Sequence, residues 1–416
     1  MVICIFLVTM LFMTINFILL KRLFNFISVF LILWCIVSVL SSFGFYGLYI
    51  PDQNAYMYIL IVMVMFEISA LLFLKLRTPS FAENKTFYLK WKKINVMSFL
   101  CLLGLFPYSM KGIMVALTEG FYRLRLSGFS NLLYSTNEKL ILMNIIQPVV
   151  LAITILSLIE LIQNKKIRIS MIISVMNCFL FILIFGGRWI LLEFILLAGI
   201  ILYDTYSGNI IRLLKNNKLI LVVMSIVIIS ISSITLQRSV GGGDGLIYNV
   251  YIYFVGSVHL FGVYIKNPLT YGLGADHLLY GKEFFAGFLE PIYLLANFRG
   301  LEWKSGVETI NEITQQFVFV SSDTIMNNNV TMIYAFLRDF GIWGLFLCPI
   351  VLGGVYSFLY KANIKTNNFL CKGLYYYSLS IMPFLLFEWM PARMSIIMVP
   401  FILFVLTRRS FRTENK

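Results

Sequence analysis

The feature that most constrains this chain is a series of apolar runs long enough to cross a membrane. About 20 consecutive apolar residues span the hydrocarbon core of a bilayer as a helix. Eleven such runs occur, at residues 3–20, 24–44, 57–74, 94–116, 140–162, 169–185, 189–205, 219–236, 332–358, 373–389 and 394–407. Only 12% of the residues are charged, about half the share of a soluble domain. The sequence therefore predicts an all-α polytopic integral membrane protein with about eleven transmembrane helices.

Basic residues fall at every second connection between these runs, which predicts how the chain is oriented. Lys and Arg accumulate in short cytoplasmic loops, and pairs such as Lys21 with Arg22 and Lys165 with Arg168 mark the cytoplasmic side. The N-terminus is then outside and the C-terminus is cytoplasmic. The net charge of +14 reflects topology on this view, so no nucleic-acid partner is expected.

The spacing of the runs divides the chain into three predicted regions. Residues 1–236 form an eight-span membrane region, 237–331 a long outer loop, and 332–416 a three-span region with a cytoplasmic tail. Structureless loops longer than about 15 residues are uncommon, so we expect the loop to fold. Two stretches in it, 246–265 and 284–298, are apolar enough to form amphipathic or re-entrant helices. If both crossed the membrane, the spans would number about thirteen with the same ends.

Arginines on the predicted outer side are candidate ligand-binding residues, because basic residues are disfavoured there. Arg188 follows a two-glycine turn between apolar helices, and it is either an anion clamp or a snorkelling interfacial side chain. Arg238 opens the long loop just before the glycines 241–243, which favour a hinge over a phosphate cradle. For Arg123 and Arg125, in another outer loop, a solvated face and a ligand role are equally good interpretations.

Two pairs of opposite charges are candidates for acid–base chemistry. Arg338 and Asp339 lie a little inside the ninth predicted span, and Glu388 and Arg393 flank the last outer turn. A structural ion pair explains either couple as well as a catalytic role does. In a catalytic role the carboxylate would accept a proton from an attacking hydroxyl group.

Other ionisable residues are less informative. Glu67 and Glu193 lie well inside spans, where a neutral, hydrogen-bonded carboxyl group is as good an interpretation as a functional one. His259 and His277 lack a paired ligand spacing, so no metal is predicted, and His259 fits a satisfied interfacial residue better than a base. No GxSxG, HExxH or Walker pattern is present, which argues against a nucleotide-driven pump or a cytosolic nucleotide-sugar transferase.

Short stretches of the chain are similar to those of a known family. The Gly-Gly-Arg turn at 186–188, the end of the long loop at 329–334 and the start of the next span at 339–344 resemble bacterial O-antigen and capsule repeat-unit polymerases of the Wzy type. The number of spans and the position of the long loop are also similar. The resemblance covers most of the chain in architecture, but only these stretches in residues.

The resemblance implies a GT-C-like, metal-independent glycosyltransferase of the bacterial cytoplasmic (inner) membrane that needs no cofactor. The growing polysaccharide on undecaprenyl diphosphate would be attacked by a hydroxyl group of a new undecaprenyl-diphosphate-linked oligosaccharide. Arg188 and Arg238 would stabilise the diphosphate, and Asp339 or Glu388 would be the base. Substrate-binding residues would be Arg123, Arg125, His259, Asn329, Arg338 and Arg393. The partners expected are this lipid-linked oligosaccharide, the lipid bilayer and a polysaccharide chain-length regulator.

Two alternatives remain beside the polymerase. The related O-antigen ligases carry a histidine near the end of the long loop, and residues 326–330 contain none, which favours the polymerase. A lipid-linked oligosaccharide flippase would be expected to show internal repeats and charge from both halves of the chain, but buried charge is sparse. The expected function is polymerisation of repeat units into O-antigen or capsular polysaccharide on the outer face of the cytoplasmic membrane.

Overall fold

The structure is a computed structural model that describes residues 1–22, 25–76, 89–206, 209, 215, 217–238, 246–366 and 368–407. These residues are mostly helical, apart from one antiparallel pair of short strands. The strands β1 (Val318–Phe319) and β2 (Ile325–Met326) pair Val318 with Met326. In chain order the helices are α1 (Val2–Leu20), α2 (Phe26–Ser42), α3 (Gln53–Lys75), α4 (Trp91–Thr118), α5 (Gly120–Phe129), α6 (Thr136–Ile141), α7 (Gln147–Asn164), α8 (Ile169–Phe185), α9 (Trp189–Tyr206), α10 (Lys218–Arg238), α11 (Leu246–Lys266), α12 (Ala286–Phe298), α13 (Gly306–Thr314), α14 (Met332–Phe340), α15 (Gly344–Lys365), α16 (Phe369–Ile381) and α17 (Met394–Thr407).

Many of these helices have the length and composition of membrane spans. Among the described residues, 8 helical stretches are long and apolar enough to cross a bilayer. They are Val2–Leu20, Gln53–Lys75, Trp91–Thr118, Thr136–Asn164, Trp189–Tyr206, Ile247–Lys266, Met332–Lys365 and Phe369–Leu386. Shorter apolar helices are Phe26–Ser42, Ile169–Phe185, Ile220–Ser233 and Met394–Thr407. The prediction of an all-α, multi-pass membrane protein is confirmed, whereas the count of eleven spans and the orientation of the termini stay predictions.

The two apolar stretches of the long loop differ in length. The first forms α11, a continuous helix of 21 residues that is long enough to span. The second forms α12, which has 13 residues and is only about 20 Å long at 1.5 Å per residue. That falls short of the roughly 30 Å hydrocarbon core, so α12 cannot cross it alone.

The ninth predicted span is broken near its start. Gly341 ends α14 with φ 58° and ψ −147°, a conformation that glycine adopts readily. A short 3₁₀ turn over Gly341–Trp343 then leads into α15. A Cβ atom at Gly344 would overlap the carbonyl group of Phe336, so this bend requires a residue without a side chain.

The chain forms two compact units, each made of discontinuous segments. The first unit comprises Met1–Phe81, Ile247–Ala362 and Ile381–Ile397, and the second comprises Ala82–Leu246, Asn363–Ser380 and Met398–Lys416. The three sequential regions expected from the sequence stay a prediction.

In the first unit, α3 and α15 cross closely because small residues meet at the contact. A Cβ atom at Gly353 would lie 2.7 Å from the carbonyl oxygen of Phe66. Ser69 Oγ donates a hydrogen bond to the Ile350 carbonyl at 2.6 Å, and Ser357 Oγ donates to the Ala70 carbonyl at 3.0 Å. Small and hydroxylated residues of this kind hold helices together in lipid.

In the second unit, α8 is held along its length by α4 and α5. A Cβ atom at Gly112 of α4 would overlap the carbonyl oxygen of Leu183, and one at Gly128 of α5 would lie 3.1 Å from that of Ile184. Asn177 Nδ2 also donates a hydrogen bond to the Ser98 carbonyl at 3.2 Å. These contacts fix the C-terminal end of α8, where the 186–188 turn begins.

Candidate functional site

The 186–188 turn places Arg188 beside α5 in the second unit. Gly186 ends α8 with φ 58° and ψ 12°, where a residue with a side chain would be strained. A Cβ atom there would lie 3.2 Å from the backbone nitrogen of Arg125. Arg188, which is half-buried, donates a hydrogen bond from Nη1 to the hydroxyl group of Thr235 on α10. The turn therefore packs on α5 through Gly186 and directs Arg188 toward α10.

Two further predicted arginines lie on α5. The side chains of Arg123 and Arg125 are exposed, and the guanidinium carbon of Arg125 lies 5.9 Å from the centre of the Phe129 ring. We call Arg123, Arg125 and Arg188 the arginine corner. Arg238 is the last residue of α10, but its side chain lies outside the described residues, as do the glycines 241–243.

Asp339 is enclosed where the long loop folds against α14 in the first unit. Its side chain is fully buried. One carboxylate oxygen accepts the backbone N–H of Glu283 at 3.2 Å, and the other accepts that of Phe284 at 2.5 Å. Both oxygens are thus used to fix the residues that lead into α12.

Glu283 lies beside Asp339, although the sequence pattern does not indicate it as a site residue. It is 7% exposed, and burial raises the pKa of its carboxyl group well above the usual value. The neighbouring negative charges of Asp339 and Glu388 raise this pKa further, whereas Arg338 lowers it. Its one signal in the sequence is that it directly precedes the apolar stretch 284–298.

Arg338 binds the loop rather than its sequence neighbour Asp339. Its Nη1 donates hydrogen bonds to the carbonyl oxygens of Gly272 and His277, the latter at 2.8 Å. The residue is 4% exposed. Its geometry is therefore that of a clamp on the backbone of the long loop.

Glu388 and Arg393 form an ion pair that solvent can reach. Arg393 Nη2 lies 2.6 Å from Glu388 Oε1 and 2.8 Å from Oε2, and the two side chains are 48% and 31% exposed respectively. The next residue, Trp389, donates from Nε1 to the Phe284 carbonyl at 3.0 Å and stacks on the Phe284 ring. The turn that carries Glu388 is thereby fixed to the segment that carries Glu283.

These contacts define one cluster, which we call the acid cluster: Glu283, Asp339, Glu388, Arg338 and Arg393. Its carboxyl groups occupy three different environments. Asp339 is buried with backbone N–H donors on both oxygens, Glu283 is buried with a raised pKa, and Glu388 is half-exposed beside a guanidinium group. Differences of this kind separate proton donors from proton acceptors.

The remaining predicted site residues lie elsewhere in the first unit. His259 is 1% exposed, and its Nδ1 lies 2.7 Å from the carbonyl oxygen of Tyr49, which fits a structural role. Asn329 is half-exposed in the loop before α14. Within the described part of the chain, no group of three or more His, Cys, Asp or Glu side chains is arranged to hold a metal ion.

Comparison with known proteins assigns no family or function to this chain. No family model matches the chain, and neither a curated protein nor a solved structure is significantly similar to it. The arginine corner and the acid cluster are therefore the structural features that bear on function.

Proposed function

We propose that this protein polymerises undecaprenyl-diphosphate-linked repeat units into O-antigen or capsular polysaccharide on the outer face of the bacterial cytoplasmic membrane. The observation that carries the proposal is the acid cluster, which contains one accessible carboxylate among buried ones. Such a carboxylate can accept the proton of an attacking hydroxyl group. The resemblance to repeat-unit polymerases supplies the class of substrate.

Glu388 is the better candidate for the base than Asp339. A base must reach the proton it removes to within hydrogen-bond distance. Asp339 is fully buried with both oxygens engaged, whereas Glu388 is half-exposed. Arg393 Nη2 lies 2.6 Å from Glu388 Oε1, so the ion pair holds this accessible carboxylate in a defined position.

The proposed step transfers the growing glycan to a new repeat unit. The acceptor oxygen forms a bond to the anomeric carbon of the glycan, and its proton passes to Glu388. The bond from that carbon to the diphosphate oxygen breaks, and undecaprenyl diphosphate leaves with the electron pair. By the resemblance, Arg188 and Arg238 bind this diphosphate, because guanidinium groups offer paired donors to phosphate oxygens.

A complementation experiment tests the proposal. In a strain that lacks the gene, we expect Glu388→Gln to be made at the normal level but to give no long-chain polysaccharide on a gel. Gln keeps the size of the side chain and removes its basicity. The matched control is Glu119→Gln, a change at an exposed glutamate in the second unit, which should restore the full ladder. A full ladder from Glu388→Gln would reject this base.

A transporter is the second candidate, because carboxyl groups lie deep within predicted spans. Glu67 of α3 is fully buried and its Oε2 accepts a hydrogen bond from Asn16 of α1 at 3.3 Å. Glu193 of α9 is fully buried as well. Intramembrane carboxyl groups are common in ion-coupled transporters.

The phenotype of the deletion strain separates the candidates. A polymerase mutant still displays a single repeat unit at the surface, whereas a flippase mutant displays none. A ligase mutant assembles polymer but does not attach it. Only the first phenotype agrees with the proposed function.

A further inference from the structure

Helix α12 presents a wide apolar face that no described residue covers. Phe288, Ile292, Leu295 and Phe298 are 60%, 54%, 66% and 91% exposed, and their spacing places them on one side of the helix. A helix too short to span, with such a face, lies in the plane of a membrane surface.

The opposite side of α12 is held firmly by the rest of the first unit. Ala286 is fully buried, and a Cβ atom at Gly287 would overlap the carbonyl oxygen of Pro391. At the C-terminal end, Asn297 Oδ1 accepts the backbone N–H of Trp303 at 3.0 Å. The apolar face is therefore part of a fixed surface and not of a loose arm.

A cleft of about 510 Å³ runs beside this face, a volume in the range of small-molecule sites. It is lined by Leu289, Ile292 and Tyr293 of α12, by residues 302–304 and by Lys282. Ile292 belongs to both the cleft and the apolar face, so the two surfaces are continuous. Trp303 is 52% exposed and offers, with Tyr293, an aromatic surface on which the C–H face of a sugar ring can pack.

The cleft carries lysines suited to an anion. Lys282 is exposed, and its ammonium group makes no ion pair with any residue that the structure describes. Lys304 pairs with Glu312 at 2.7 Å, but both side chains are more than half exposed, so this pair is weak and readily exchanged. Glu302 also lines the cleft and disfavours a ligand that is anionic throughout. Two lysines and one glutamate beside an apolar face fit a ligand that joins an anionic group to a neutral sugar and an apolar chain.

We infer that the cleft and the apolar face of α12 together bind one lipid-linked substrate. The prenyl chain lies along Phe288, Ile292 and Leu295, the diphosphate contacts Lys282 and Lys304, and the first sugar packs on Trp303. This inference rests on the proposed function, which requires two lipid-linked substrates and therefore two anion sites. In the proposed function Arg188 and Arg238 supply the cations of one site, and this cleft supplies those of the other. Lys282 directly precedes Glu283, so the cleft adjoins the acid cluster.

Photoaffinity labelling of the full chain tests the inference. The purified protein in phosphatidylcholine nanodiscs is labelled with a benzophenone analogue of farnesyl diphosphate, and the labelled residues are identified by mass spectrometry. We expect labels in residues 285–298, with farnesyl diphosphate competing at least tenfold better than farnesol or phosphatidylglycerol. Labels only in other segments would overturn the inference. Equal competition by farnesol or phosphatidylglycerol would also overturn it, since α12 would then be a membrane anchor alone.

Variants at Lys282 sharpen the test. Lys282→Ala should weaken the competition by farnesyl diphosphate for labelling of residues 285–298 about tenfold, equivalent to about 1.4 kcal/mol, whereas Lys282→Arg should stay within about threefold of the parent because the charge is kept. The control is Lys266→Ala, at an exposed lysine that does not line the cleft, and it should bind normally. Unchanged binding by Lys282→Ala would exclude this lysine and the site built on it.

The labelling result is independent of polymerisation. If the deletion strain shows no polymerase phenotype, the proposed function fails even when α12 is labelled. If the polymerase phenotype is found and the labels lie elsewhere, only this inference fails.

Discussion

Replacing Asp339 and replacing Glu388 should damage the protein in different ways, although the sequence presents both as candidate bases. Asp339→Ala leaves the backbone N–H groups of Glu283 and Phe284 buried without an acceptor. Each such group costs about 1–3 kcal/mol, so we expect a loss of about 3 kcal/mol or more. This is a large part of the 5–15 kcal/mol that typically stabilises a fold.

The conservative change Asp339→Asn should also destabilise the fold, but by less than Asp339→Ala. Asp339→Asn keeps one acceptor oxygen but places an NH₂ group against the other backbone N–H, and we expect a loss of about 2 kcal/mol. Glu388→Gln removes an ion pair whose carboxylate is 31% exposed. Pairs of this kind contribute about 0–1 kcal/mol because solvent screens them. The Glu388 variant should therefore fold almost as well as the parent.

Thermal unfolding of the purified proteins in detergent, measured beside the surface polysaccharide ladder, separates the two roles. We expect both Asp339 variants to melt early and to accumulate poorly, and Glu388→Gln to melt normally without making long chains. An Asp339→Asn protein that melts normally but makes no polymer would refute the reasoning, because Asp339 would then act in the reaction and not in the fold.

Two further predictions concern pH and helix packing. Because burial raises the pKa of Glu283, the folded state holds a proton that the unfolded chain releases above about pH 4.3. Stability should therefore fall as the pH rises from that value to the raised pKa, and Glu283→Gln should flatten this dependence when unfolding is measured between pH 5 and 9; an unchanged slope would contradict the assignment. Gly112→Ala should destabilise the second unit strongly, because its Cβ atom overlaps the Leu183 carbonyl, whereas Gly199→Ala, where nothing lies within 4 Å of the added atom, should be neutral or stabilise by up to about 1 kcal/mol. Equal melting temperatures for these two variants would show that α4 and α8 do not approach as closely as described.

The helical, membrane-spanning character of the chain could be predicted from the sequence because it depends on local composition. The break at Gly341 could not, since the apolar run resumes after it and is long enough in total to read as one span. The local signals were the charged pair Arg338 and Asp339 and the glycines at 341 and 344. Their meaning depends on the contact with Phe336, which forms only in the folded protein.

The candidate site could be predicted only in part, because some of its features depend on contacts that form in the folded protein. Asp339 and Glu388 stood out as charges near apolar spans, but their different environments depend on contacts over long sequence distances. The hydrogen bond from the Glu283 backbone to Asp339 joins residues that are 56 positions apart. In the sequence, Glu283 is one of several glutamates in the long loop. Only the folding of the loop places it beside Asp339.

The discontinuous make-up of the first unit has a consequence for biosynthesis. Its opening segment ends at Phe81, and its closing segment, Ile381–Ile397, carries the turn that fixes α12. About 300 residues separate the two, and at about 5–20 residues per second a ribosome needs roughly 15–60 s to make them. During that time α1, α2 and α3 wait in the bilayer with part of their final contact surface missing. We therefore expect variants that loosen α1 to α3 to accumulate at a lower level than the parent, because their unit is completed only when the closing segment has been made.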